Sequence, residues 1–159
     1  MTSNPPTPPV LRASFGEMSV HQLYAVLRLR VDVFVVEQQC PYAELDGLDA
    51  EPGTEHLWIE DAAADDNRVV ATLRILSVHG GYRIGRVATA RSHRGRGYAA
   101  TLMRAALDSL ADAEIALEAQ AHLEQWYAGY GFARAGANYL EDGIAHVPMH
   151  LSPGSEAAR

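Results

Sequence analysis

Between Tyr82 and Leu110 the chain changes its hydrophobic period within a few residues, and that change limits what can be built around it. Tyr82-Arg83-Ile84-Gly85-Arg86-Val87-Ala88-Thr89 is strand-like. Leu102, Met103, Ala106, Leu107 and Leu110 then recur at helical spacing, with Arg104 and Asp108 left on the wet side, so the helix packs on a sheet. Between them lies Arg94-Gly95-Arg96-Gly97-Tyr98-Ala99. A strand, a glycine turn and a helix start form an anion cradle, because glycines admit close approach and the first N–H groups of a helix have no partner within it. Arg83, Arg86, Arg91, Arg94 and Arg96 crowd the same stretch, and guanidinium forks suit phosphate oxygens. A dinucleotide fingerprint would need a third glycine, and a P-loop would need Gly-Lys; the spacing lacks the first, and the chain has no lysine. The competing reading is a tight, solvated turn ahead of a surface helix.

The chain has 159 residues, one domain's length. Its net charge of −7 argues against a nucleic-acid partner. No apolar run reaches the length of a membrane span and no signal peptide opens the chain, so no membrane partner is expected. The single Cys40 fits a reducing, cytoplasmic setting. No pair of histidines or cysteines has metal-ligand spacing, so no metal is expected. Prolines at 5, 6, 8 and 9 mark residues 1–9 as a disordered segment, and 152–159 as a small, polar, disordered tail, leaving one domain over 10–151.

Within that domain, Val10 to Phe15 suggests a first strand, and Ser19 with Gln22 is a capping box for a helix over 19–34. Pro41 ends regular structure. From Glu37 to Asn67 there are ten acidic residues and no Lys or Arg, either a solvated loop or a run in which one or two carboxylates draw an amine substrate. His56–Asp61 and Arg68–Leu76 read as an antiparallel hairpin turned by Asp65-Asp66-Asn67, and Gly80-Gly81 turns the chain into the strand at 82–89. Ile115–Gln120, after the helix, should lie parallel to 82–89 by the right-handed crossover rule. A helix over His122–Tyr130 and a last hairpin that includes Ile144–Leu151 complete the chain.

Arg94, Gly97 and Ala99 match the acyl-CoA motif of the GNAT N-acetyltransferase superfamily, Gln/Arg-x-x-Gly-x-Gly/Ala. Tyr127 and Gly131-Phe132 match a second pattern of that family, with Gln120 in place of its Asn and Leu123 in place of its Ala. Leu29 to Gln38, then Tyr42, Glu44, Asp46 and Asp49, and late Glu141 to His146, resemble its ElaA branch. The resemblance spans about residues 11–151. It implies an α+β fold: a GNAT-type mixed, mostly antiparallel central sheet, helices on both faces, and two splayed parallel strands in the middle. It further implies acetyl-CoA as co-substrate, its pyrophosphate on the amides of Arg94, Gly95, Arg96, Gly97, Tyr98 and Ala99. The pantetheine arm would run along Val87, Ala88 and Thr89, with a contact to Gln120.

Acyl transfer to an amine needs proximity, a base for the amine proton, a donor for the developing oxyanion and a proton for the thiolate. Backbone near Val87 is the candidate oxyanion donor. Tyr127 is the candidate acid, against the alternative that it only packs. Glu37 is the first candidate base, with Glu118 and His146 behind it. The expected partner is a small-molecule or peptide primary amine, and a homodimer stays open. Two further readings also stay open: a non-catalytic acyl-CoA-binding sensor, and an enzyme like an acyl-homoserine lactone synthase.

Overall fold

Alternating side chains on the strands supply two apolar faces, and the helices settle on both. The computed structural model describes residues 6–154; of the ends expected to be disordered, residues 1–5 and 155–159 lie outside that range. One mixed sheet is built from β1 (Leu11–Ser14), β2 (Glu55–Glu60), β3 (Val69–Val78), β4 (Gly81–Thr89), β5 (Ile115–Gln120), β6 (Ala133–Arg134), β7 (Tyr139–Glu141) and β8 (Ile144–Leu151). The strand order is β1-β2-β3-β4-β5-β8-β6, with β7 also on β8. Every pairing is antiparallel except β4 with β5, which is parallel, as the crossover argument requires. Among the described residues no helix is long and apolar enough to cross a membrane.

Helix α1 (Val20–Arg30) begins on the expected capping box: the Gln22 amide donates to Ser19 Oγ at 3.1 Å and the Ser19 amide to Gln22 Oε1 at 3.0 Å. Its Val26 and Leu29 join Trp58, Val69 and Ala88 in a core on one face of the sheet. On the other face, α2 (Tyr98–Ser109) packs Leu102, Met103 and Ala106 against Leu57, Leu73, Ile75 and Ile84. A short α3 (Glu124–Ala128) adds Tyr127 to that second core.

Two departures from the sequence expectations shape the centre. The helix expected to end near residue 34 continues to Glu37, but as a π-helix over Val31–Glu37, closed by the Gln38 amide on the Val33 carbonyl at 3.2 Å. Strand β4 carries a bulge. Thr72 pairs with Ala88 but Arg74 with Gly85, so Arg86 and Val87 together face Leu73, and Arg86 takes the left-handed region at φ +53°. The slipped residue turns the strand over: Ile84 and Ala88 would share a face at strict period two, yet lie in opposite cores.

The acidic run divides: Glu51, Asp65 and Asp66 are exposed, as a solvated loop expects, while Glu44, Asp46 and Asp49 are tied to arginines. Glu44 and Asp49 are buried and clamp the Arg30 guanidinium, which is 1 % exposed, through Glu44 Oε1 at 2.8 Å and Asp49 Oδ1 at 2.6 Å. Asp46 takes Arg74 at 2.9 Å and Arg86 at 3.2 Å. Arg86 Nε also lies 2.8 Å from Glu44, at an angle that makes an ion pair rather than a hydrogen bond. Three arginines from α1, β3 and β4 thus balance three carboxylates of one loop, and Arg86 leaves the arginine cluster that the sequence suggests for phosphate.

Candidate active site

Strands β4 and β5 pair at only two positions, Tyr82 with Ile115 and Arg83 with Ala116. Beyond them the strands part, and the β4 edge facing β5 has no strand to bond to. A cavity of about 610 Å³ fills the wedge, with Gly85 to Thr89 on one wall and Leu117, Glu118 and Gln120 on the other. Val33, Phe34 and Gln38 of the π-helical region and Tyr127 of α3 also line it.

At the mouth of the wedge, Gly95 and Gly97 sit at φ +78° and +79°, a region ordinary residues avoid. A Cβ on either would meet nothing within 4 Å, so conformation rather than crowding selects glycine here. Gly97 is the N-cap of α2, and the Thr101 amide and hydroxyl both return to its carbonyl. Among the described residues, no amide from Tyr98 to Ala100 donates to a protein acceptor. The helix opens on uncommitted donors.

The sequence-derived candidates divide. Val87, Ala88, Thr89, Arg94, Ala99, Gln120 and Tyr127 all line the cavity. Arg96 instead lines a neighbouring depression and donates to the Ser92 carbonyl at 3.3 Å, and the Tyr98 ring stacks on His93 at 6.2 Å. Gln120 Nε2 donates to Gln38 Oε1 at 3.2 Å. Tyr127 is 7 % exposed and its ring forms part of the cavity wall. Burial pushes its phenol up to about 12, so it stays protonated throughout the neutral range.

Glu37, the first candidate base, sits apart from the others. Its carboxylate lies outside this cavity, in the neighbouring depression, and takes both ends of the Arg94 guanidinium at 2.7 and 2.9 Å. That hydrogen-bonded pairing holds its pKa below the usual carboxylate range, which weakens it as a proton acceptor.

The other two candidates do line the cavity. Glu118 is engaged at both oxygens, by Arg83 at 3.0 Å and by the Tyr139 hydroxyl at 2.6 Å. His146 stands across the sheet from Gln120 and stacks on Tyr139 at 5.7 Å. Its Nδ1 lies 2.8 Å from the Ile144 carbonyl. A carbonyl only accepts, so Nδ1 carries the hydrogen, and in the neutral ring Nε2 keeps the lone pair. Sequence reasoning missed Tyr139, an exposed residue of a three-residue strand with no motif around it. It also missed the arginine partners of the acidic loop, although Arg30, one residue beyond the buried Leu29 of an apolar helix face, was a readable signal.

A family model described as an acetyltransferase (GNAT) domain matches residues 30–153. A UPF0039 protein of Mycobacterium tuberculosis is 47 % identical over 143 residues, covering 87 % of this chain and 89 % of its own. Among solved structures, an acyl-CoA N-acyltransferase from Pseudomonas aeruginosa superposes at a TM-score of 0.83 with 38 % identity, over 91 % of this chain and 99 % of its own. Escherichia coli ElaA superposes at 0.81 with 36 % identity, over 89 % and 98 %.

Proposed function

Because this chain belongs to the GNAT acetyltransferase family, in its ElaA-like branch, we propose that it moves an acetyl group from acetyl-CoA to a primary amine by direct attack in a ternary complex. The observation that carries this reading is the wedge: two parallel strands that stop pairing after two positions, with uncommitted helix amides at its mouth. The cradle fits a diphosphate by charge and by donor count, and the unpaired edge of β4 at Val87, Ala88 and Thr89 fits an amide-bearing arm.

When bound, acetyl-CoA supplies an activated carbonyl, and the rest falls to this chain. The amine nitrogen bonds to the carbonyl carbon as the carbon–sulfur bond breaks. His146 Nε2 receives the amine proton, since it carries a lone pair while Glu118 has both oxygens engaged and Glu37 is held by Arg94. Backbone at the Arg86–Val87 bulge, out of step with β3, offers its N–H to the developing oxyanion. Tyr127 hydrogen bonds to the departing sulfur. A phenol held near 12 is a weaker acid than a thiol, so its task is to stabilise the thiolate, the proton following only as far as the apolar wall raises the sulfur's own affinity for it.

Release of thiol from acetyl-CoA, measured against a broad panel of primary amines, tests this reading. Amine-dependent release is the expected result. Acetyl-CoA binding with no release across the panel would replace the enzyme with a sensor module.

A further inference from the structure

Two neighbouring residues at the end of the π-helical region reach opposite sides of the wedge. Glu37 grips the Arg94 guanidinium at 2.7 and 2.9 Å, and Gln38 Oε1 accepts from Gln120 Nε2 at 3.2 Å. The winding brings them there. At α pitch the Glu37 amide would close on the Val33 carbonyl, but here the Gln38 amide does, so each side chain sits one residue out of the α phase.

Arg94 lies back over the end of β4. Its Nε donates to the Thr89 carbonyl at 3.1 Å while its two terminal nitrogens hold Glu37. The first residue of the cradle turn therefore occupies a carbonyl of the strand that would carry the pantetheine arm. The carboxylate fixing it presents two oxygens in one plane, the face that a phosphate also offers to a guanidinium. Neither side chain is packed in place: Arg94 is 41 % exposed and Glu37 30 %.

On the reading that the wedge takes acyl-CoA, we propose that Glu37 sets the donor's affinity, as a resident counter-anion that holds Arg94 across the open end of β4 until a diphosphate takes its place. Arg94 passes from one anion to another, and its movement clears the Thr89 carbonyl for the arm. Glu37 is a positioning residue here, acting through Arg94.

The test is calorimetric titration of CoA into the wild-type protein and Glu37→Gln at low and high salt. The variant is expected to bind CoA about two- to fivefold more tightly, the range an exposed ion pair of this kind corresponds to. The acetyl-CoA KM should fall by the same factor while the amine KM stays put. High salt weakens the wild-type pair, so the two affinities should converge, which a purely structural role for Glu37 would not produce. Unchanged or weaker CoA binding by a folded Glu37→Gln overturns the proposal. Should that variant not fold, Glu37→Asp, which shortens the reach and loosens the two-point grip, must move affinity in the same direction. A wild-type protein that binds no CoA would show in the first titration, and would overturn the acyl-CoA reading and this inference with it.

Discussion

Tyr127 and Arg30 are both buried, and they answer to opposite physics. Tyr127 is a buried ring that lines the cavity, so Tyr127→Phe, which keeps the ring, should cost little stability and much rate. We expect kcat to fall about 10²-fold with little change in acetyl-CoA KM, the size typical of losing one positioned hydrogen-bond donor to a developing negative charge. A turnover rate unchanged across pH would show that the ring only packs. Arg30 is a charge whose burial is tolerable only because Glu44 and Asp49 meet it. Arg30→Leu leaves the three carboxylates of the cluster only two arginines, Arg86 on Glu44 and Arg74 on Asp49, and should cost about 3–5 kcal/mol in denaturant unfolding. A loss below about 1 kcal/mol would place the network in the class of surface ion pairs.

Elements meet this site through two glycines with different reasons to be glycine, and substitution separates them. At Gly97 an added Cβ meets open space, but φ is +79°, so Gly97→Ala pays only in backbone conformation, about 1 kcal/mol, while disturbing the start of α2 and raising the acetyl-CoA KM. At Gly81, where β4 and β5 still touch, a Cβ would lie 2.2 Å from the Glu114 carbonyl oxygen. Gly81→Ala should therefore lower stability by about 1–3 kcal/mol in thermal melts and affect KM less. The element order was legible because strands such as Ile115–Gln120 carry their own pattern and punctuation. The π winding was not, since apolar spacing over Val31–Glu37 reads alike at either pitch for so short a run. Nor was β6, two exposed residues that become a strand only because β8 lies beside them. At the site, Arg94-Gly95-Arg96-Gly97 and Tyr127 announced themselves by local motif. The engagement of Glu37 by Arg94, 57 residues away, could not be read from either neighbourhood.

For the whole molecule, the neutral cluster of three arginines and three carboxylates makes stability depend on pH in two steps. Burial opposes charge on His56 and holds its pKa down, so its contribution is full above about pH 6.5 and falls as the pH drops through that value. Burial raises Asp46 as well, but hydrogen bonds from Arg74 and the Leu48 amide outweigh it and hold the carboxyl at about 2. Asp49 is likewise held low, its burial overcome by Arg30. Their share is present above about pH 4 and lost as the pH falls through their lowered pKa values, about 2 for Asp46. Melting temperature should show both declines, and His56→Gln should remove only the first. The same molecule is a sheet whose central ladder runs out after its second rung. Its two halves are stitched at Tyr82–Arg83 and Ile115–Ala116 and are otherwise held by what packs across them. A molecule lying in the gap and bonding to the bare strand would supply the missing rungs, so ligation should act as a tie between the halves. At a hundredfold excess over Kd that tie contributes about 2.7 kcal/mol, and the hydrogen exchange it slows should be concentrated from Gly85 to Thr89.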